Sequence, residues 1–295
     1  MNLVDINTLF DTEDRCRELL VRLRFPEGPQ CLRCKGPVVK LDTDKQLFYC
    51  KDCDYQFSVT SGTVFNDSHL PLGKWFLTTH LLCEAKKGMS ACQIQRTVGM
   101  SYKTAWYLCH RIRHAMTQTD KPMLDGKVEM DVTYVGGKIK GKGHIAGFDN
   151  KEVVVGIRKR NGDLRFFHAR DAKGGTLAQY IRENISEDVE VIFTDDASAN
   201  DAAMRKAKRT NHKKINHSSG VYVMGDIHTN AVESAFSLLK RGIMGTWHRI
   251  SAKHLPAYLE EMEFRFNRRK RPDLFLDTLR HMVTAPALTF ERLTA

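Results

Sequence analysis

The chain has 295 residues, 42% hydrophobic and 27% charged, enough for two or three domains with a real core and ordinary for a globular protein. Forty-six Lys and Arg against 35 Asp and Glu leave a net charge of +11, which favours a polyanionic partner, most simply nucleic acid. No run of eighteen apolar residues suggests a membrane span, and the acidic start MNLVDINTLFDTEDR does not read as a signal peptide; a cytosolic, nucleoid-associated protein is expected, whose cysteines are more often metal ligands than disulfides.

Residues 1–25 read as a helical lead-in with Leu9, Phe10, Leu19, Leu20 and Leu23 as apolar positions, ended by Arg24-Phe25-Pro26-Glu27-Gly28-Pro29. Residues 26–66 carry Cys31-Leu-Arg-Cys34 and Cys50-Lys-Asp-Cys53. Two such knuckles in so short a module are the spacing of a structural zinc ribbon, each pair wrapping one side of a tetrahedral ion. A redox pair or reduced core thiols are the alternatives. Between the knuckles, 37–41 and 46–49 read as a hairpin, with Tyr55, Phe57 and Val59 continuing the alternation. Cys16, Cys83, Cys92 and Cys109 lack such pairing and are expected to be buried thiols.

Residues 67–120 turn helical. One helix runs from Leu72 and ends at Gly88. A short one opens at the N-cap Ser90 and reaches Val98. A turn follows at Gly99-Met100-Ser101, then a longer helix over 102–114. Short helix, glycine-containing turn and longer basic helix are the grammar of a helix-turn-helix. Tyr102, Lys103 and Thr104 would then face the groove of DNA. An ordinary three-helix bundle has the same pattern.

After Lys121-Pro122 the period becomes two. Over 127–135, Val128, Met130, Val132 and Tyr134 share one face, and Glu129 and Asp131 the other. Gly136 to Lys142 reads as a basic, glycine-rich DNA contact or a bare connector. Strands at 152–157 and 163–168 flank the turn Asn161-Gly162. A helix at 176–184, a buried strand at 189–194 and a basic helix around 204–208 follow. A polar stretch then holds His212 and His217. Residues 121–275 make one α/β domain, and 276–295 a C-terminal tail.

The segment from His228 to Gly245 reads as a helix. Val232, Phe236, Leu239 and Ile243 form its apolar stripe, Asn230 is the expected N-cap, and Gly242 or Gly245 the stop. Glu233 and Lys240 are seven apart, so at 3.6 residues per turn they lie on nearly the same side. Asn230 followed by Glu233 also fits a capping box, in which Glu233 only finishes the helix. A further helix spans 254–265, before Arg268-Arg269-Lys270-Arg271. Asp131 and Asp195, which ends the strand at 189–194, complete the pattern with Glu233. Three carboxylates converging at a sheet end would repel one another unless divalent cations lie between them. Two magnesium ions so held can activate water or a 3′-hydroxyl and stabilise the leaving oxygen of a phosphodiester.

The chain resembles the DDE transposases of the family named after insertion sequence IS1595, relatives of the eukaryotic Merlin elements. The matching stretches are the cysteine module, Asp131-Val-Thr-Tyr-Val-Gly-Gly-Lys138, Thr194-Asp195, His228-Thr-Asn-Ala-Val-Glu233, Leu239-Lys-Arg-Gly242 and Glu263-Phe-Arg-Phe-Asn267-Arg. The resemblance implies an RNase H-like catalytic domain that cuts and joins DNA at element ends. It implies Asp131, Asp195 and Glu233 as ligands of Mg²⁺ or Mn²⁺, and Lys240 on a DNA phosphate. Two departures stand out. Val132 replaces an acid common after the first Asp, and Ala235 replaces a common aromatic. Some groups in the family use asparagine as the third ligand, which keeps Asn230 as a rival to Glu233.

The expectation is therefore an insertion-sequence transposase, with Arg268, Arg269 and their basic neighbours also on phosphates. It would act on terminal repeats and target DNA, with no membrane partner, as a homodimer or larger assembly. A DNA-binding regulator of transposase descent and a structure-specific nuclease are the alternatives.

Overall fold

The computed structural model describes residues 1–41, 46–136, 151–215 and 228–295. In chain order the elements are α1 Leu3–Leu9, α2 Glu13–Arg24, β1 Val38–Lys40, β2 Phe48–Cys50, β3 Gln56–Phe57, α3 Leu72–Glu84, α4 Ala91–Val98 and α5 Tyr102–Met116. Then come β4 Lys127–Val135, β5 Glu152–Lys159, β6 Leu164–Ala169, α6 Gly174–Asn184, β7 Val191–Asp195, α7 Ser198–Ala207 and β8 His212–Ile215. Next are α8 Asn230–Gly242, a π-helical turn Ile243–Trp247, α9 Leu255–Arg268, α10 Leu274–Thr284 and α11 Phe290–Thr294. No helix among the described residues is long and apolar enough to cross a membrane. The basic loop read at 138–142 and His217 lie outside the described residues.

The chain divides into two compact units, Met1–Thr117 with Lys270–Ala295, and Gln118–Arg269. In the first, local capping starts most helices. Asn2 and Asp5 form a capping box on α1, and Thr12, Ser90 and Ser101 cap α2, α4 and α5. Gly99 adopts a left-handed φ of 68° and closes α4. β1, β2 and β3 make a small antiparallel sheet. Phe48 and Phe57 on it meet Phe25 at the end of α2, with ring centroids 6.1 and 6.5 Å away.

Residues 276–295 are not a tail. α10 places Phe275, Leu279, Met282 and Val283 in the core of the first unit. Phe275 packs edge-on to Phe76 at 6.0 Å, and Thr278 meets Cys83 at 3.2 Å. The stripe 275, 279, 282, 283 has helical spacing and finds its apolar partners on α2, α3 and α5. Cys92 also departs from the expectation: it is exposed, because short α4 turns Ile94 and Val98 inward instead.

The second unit is built on a five-stranded sheet of order β6-β5-β4-β7-β8. β4 and β5 pair antiparallel, as do β5 and β6, whereas β4, β7 and β8 run parallel. β8 occupies what the sequence presents as a polar stretch. It is a parallel edge strand whose residues His212-Lys-Lys-Ile215 show little alternation, so pairing with β7 and not its own pattern makes it a strand. One sheet face carries Val128, Met130, Val155, Ile157 and Ile192 against α6 and α7. The other carries Val154, Leu164 and Phe166 against α8 and α9. Period two on β4 therefore sends Glu129 and Asp131 to the α8 face.

The Glu263–Asn267 motif serves the sheet edge. Phe166 N–H donates to Glu263 Oε2 at 3.0 Å. Asn267 accepts from Leu164 N at 2.8 Å and donates to Leu164 O at 2.9 Å. Two residues one helical turn apart on α9 thus satisfy the free edge of β6.

Candidate active site and metal centre

The cysteine module is assembled first by its turns. Lys35 and Asp54, each directly after a knuckle, have φ of 63° and 52°. The reversals let Cys31 N donate to Gly36 O at 3.0 Å and Cys50 N to Tyr55 O at 3.0 Å. A Cβ at Gly36 would lie 2.0 Å from Oδ2 of exposed Asp52 and 3.3 Å from Cys34 Sγ, so a side chain there would push the Asp52 carboxylate aside. The four sulfurs of Cys31, Cys34, Cys50 and Cys53 lie within 4.8 Å of one another. Cys31 and Cys53 are 3.6 Å apart and Cys34 and Cys50 3.4 Å. Zinc–sulfur bonds of about 2.3 Å in a tetrahedron require sulfurs about 3.8 Å apart, so the donor set fits zinc. Burial opposes ionisation of the Cys31 thiol, but N–H groups of Cys34 and Arg33 and the neighbouring thiols outweigh it and bring it down to about 6. A thiolate is the ligand form.

The carboxylates come from three elements. The β4–β7 ladder pairs Glu129 with Phe193. The pairing ends there, and Asp131 and Asp195 each lie two residues beyond it, on the same face of adjacent parallel strands. Both residues are partly exposed. Asp131 Oδ1 accepts the N–H of Val132 at 2.7 Å. Asp195 Oδ1 accepts Ala197 N at 3.2 Å and the side-chain amide of Asn200 in the first turn of α7. Among the described residues the four cysteines are the one cluster whose atoms meet as closely as metal ligands do.

α8 lies over this face. Gly156, which pairs with Asp131 across the β4–β5 ladder, lies directly beneath Phe236 and Val232. Phe236 stacks on Phe166 with centroids 5.6 Å apart. The helix starts one residue earlier than expected: Thr229 is the N-cap, and Asn230 is the exposed first helical residue. The capping box of Asn230 and Glu233 does not form. Glu233 Oε1 instead accepts the hydroxyl of Thr229 at 2.6 Å. α8 ends at Gly242, one of the two expected stops, but the chain runs straight on as the π-helical turn to Trp247 before His248 breaks it at φ 59°.

The first turn of α8 is finished by a residue that local pattern does not reveal. Glu129, fully buried on β4, accepts Ala231 N at 2.8 Å and Val232 N at 3.0 Å. Its alternation with Asp131 was the available signal.

The phosphate candidates are dispersed. Lys240 is exposed on α8. Arg268 is half-buried, its guanidinium 3.9 Å from the Phe264 ring and 3.2 Å from Gln118 Oε1. Exposed Arg269 lies 4.0 Å over Phe266. Tyr102 is half exposed and Thr104 partly so, and Lys103 Nζ is 4.8 Å from the Phe290 ring.

Comparison with known proteins follows the same lines. Residues 123–267 match the ISXO2-like transposase domain, and residues 11–56 the transposase zinc-ribbon domain. An uncharacterized protein in transposable element ISH50 of Halobacterium salinarum is 29% identical over 276 residues, covering 87% of this chain and 91% of the relative. One chain thus carries both the zinc ribbon and the ISXO2-like domain of the IS1595 transposases.

Proposed function

We propose that this protein is an insertion-sequence transposase that cleaves element ends and joins them to target DNA. What supports the reading is that Asp131 and Asp195 share one face of adjacent parallel strands and that α8, the helix carrying Glu233, packs on that face. The strand order, with β4, β7 and β8 parallel and β5 and β6 antiparallel, supports an RNase H-like domain. An all-oxygen donor set suits hard divalent cations. Mg²⁺ or Mn²⁺ bound there, two ions in number, would supply nucleophile activation and stabilise the leaving oxygen.

Asp131 and Asp195 from the sheet and Glu233 from the helix would hold those cations, because carboxylates repel a phosphodiester anion unless a metal lies between them. Water attacks phosphorus at the element end, the P–O3′ bond breaks, and a 3′-hydroxyl is released. That hydroxyl then attacks a target phosphodiester, displacing another 3′ oxygen. Lys240, two turns beyond Glu233, contacts phosphate, as do Arg268 and Arg269 where their outer faces are open. α4 and α5 act as the helix-turn-helix, with Tyr102, Lys103 and Thr104 in the groove, and the ribbon holds structural zinc beside them. Pairing two ends calls for a homodimer or larger assembly on DNA, in the cytoplasm at the nucleoid.

The test is Mg²⁺-dependent nicking of a labelled end duplex. Asp131→Asn, Asp195→Asn and Glu233→Gln should each abolish nicking while DNA binding persists. Nicking that survives all three substitutions would move the chemistry elsewhere. The regulator reading predicts binding without nicking by the unaltered protein.

A further inference from the structure

Building on that reading, we propose that Glu129 is a positioning residue that ties the strand bearing Asp131 to the helix bearing Glu233, and so sets the spacing of the carboxylate site.

α8 has no side-chain cap of its own. Its first free N–H groups need acceptors, and its positive dipole end favours an anion. Both needs are met from 102 residues away, by Glu129 Oε2. The other oxygen, Oε1, accepts Arg160 Nε at 2.7 Å and lies 3.3 Å from His228 Nδ1. Arg160 reaches on to the chain entering α8, donating Nη2 to His228 O at 2.9 Å. Its guanidinium carbon lies 4.1 Å from the ring centroid of Phe193 on β7. One buried carboxylate and one arginine thus connect β4, β7 and the start of α8.

The placement matters because of where the candidate ligands lie. Glu129 is two residues before Asp131 on the same face, and its ladder partner Phe193 is two residues before Asp195. The amides it holds belong to the two residues immediately before Glu233. All three carboxylates are therefore within two residues of this one network. Glu129 is not a fourth ligand. Its two oxygens already take N–H donors from Ala231, Val232 and Arg160, and it is fully buried. An outer residue of this kind acts on metal affinity by fixing where the ligands stand.

The experiment compares full-length wild type, Glu129→Gln, Arg160→Lys and Glu233→Gln. Three readouts are taken: Mn²⁺ binding by calorimetry and electron paramagnetic resonance, amide exchange of residues 231–233, and affinity for an end duplex without metal. Glu129→Gln should weaken Mn²⁺ binding by about 10–100-fold, speed exchange at Ala231 and Val232, and leave duplex affinity unchanged. Arg160→Lys keeps the Glu129–amide bonds and should give a smaller change in the same direction, which covers the case of a poorly folded Glu129→Gln. Faster exchange with wild-type Mn²⁺ affinity in both variants would reduce Glu129 to a helix cap and overturn the proposal. Unchanged Mn²⁺ binding in Glu233→Gln would overturn the three-carboxylate reading instead.

Discussion

A Cβ atom added to Gly156 would lie 2.7 Å from Cζ of Phe236. The absence of a side chain at this one position on β5 is what lets α8 settle onto the sheet, beside the strand that carries Asp131. Gly156→Ala forces Phe236 and Val232 outward, and overpacking of this kind costs about 1–3 kcal/mol. Because Glu233 follows Val232 directly, nicking should fall further than stability alone explains. Thermal melting and single-turnover nicking at low temperature, run on the same preparation, separate the two effects. Wild-type nicking in Gly156→Ala would show that the close approach is dispensable.

Glu233→Gln and Asn230→Ala should now differ sharply. Asn230 is exposed and caps nothing, so Asn230→Ala should change stability by less than about 0.5 kcal/mol and retain nicking. Glu233→Gln should lose nicking by orders of magnitude, because each acid supplies charge that the ions need. An inactive, well-folded Asn230→Ala protein would make Asn230 the third ligand.

Cys50→Ser should release zinc and unfold the stretch from Cys31 to Cys53, where among the described residues Phe48 is the one buried apolar side chain besides the cysteines. Acid should act in the same direction, because protons compete with zinc for the thiolates. Atomic absorption and a chromogenic chelator titration across pH follow both. Protein purified without chelator and found free of zinc would remove the assignment.

Deleting residues 270–295 should unfold the first unit rather than trim it. The deletion strips Phe275, Leu279 and Met282 from the core, and each large buried side chain lost costs about 2–5 kcal/mol. A fragment of residues 1–117 alone should therefore show little cooperative melting, whereas the full chain melts cooperatively. A well-folded fragment would show that α10 is an accessory.

Asn267→Ala should destabilise the second unit by about 1–3 kcal/mol, since the Leu164 N–H and C=O lose their partner. Nicking per folded molecule should be unchanged, because the residue serves the sheet edge. Denaturant melts paired with active-site titration test this, and a catalytic loss without a stability loss would place Asn267 in the chemistry.

Much of this architecture is written in local pattern. The two knuckles determine the cysteine cluster, because a turn and two ligands fit within four residues. Alternation along 127–135 puts Glu129 and Asp131 on one face, and the stripe of Val232, Phe236 and Leu239 marks the face α8 buries. Ser90 announces its helix because a cap bonds within its own first turn. What the tertiary structure decided is of another kind. α8 has Thr229 and not Asn230 as its N-cap, and the amides of its first turn are taken by Glu129, 102 and 103 residues earlier. β8 is a strand because β7 offers it an edge. Residues 270–295 leave the domain they follow in sequence because their apolar stripe is satisfied by α2, α3 and α5. Each of these depends on a partner distant along the chain, and period and capping grammar report only on neighbours within a few residues.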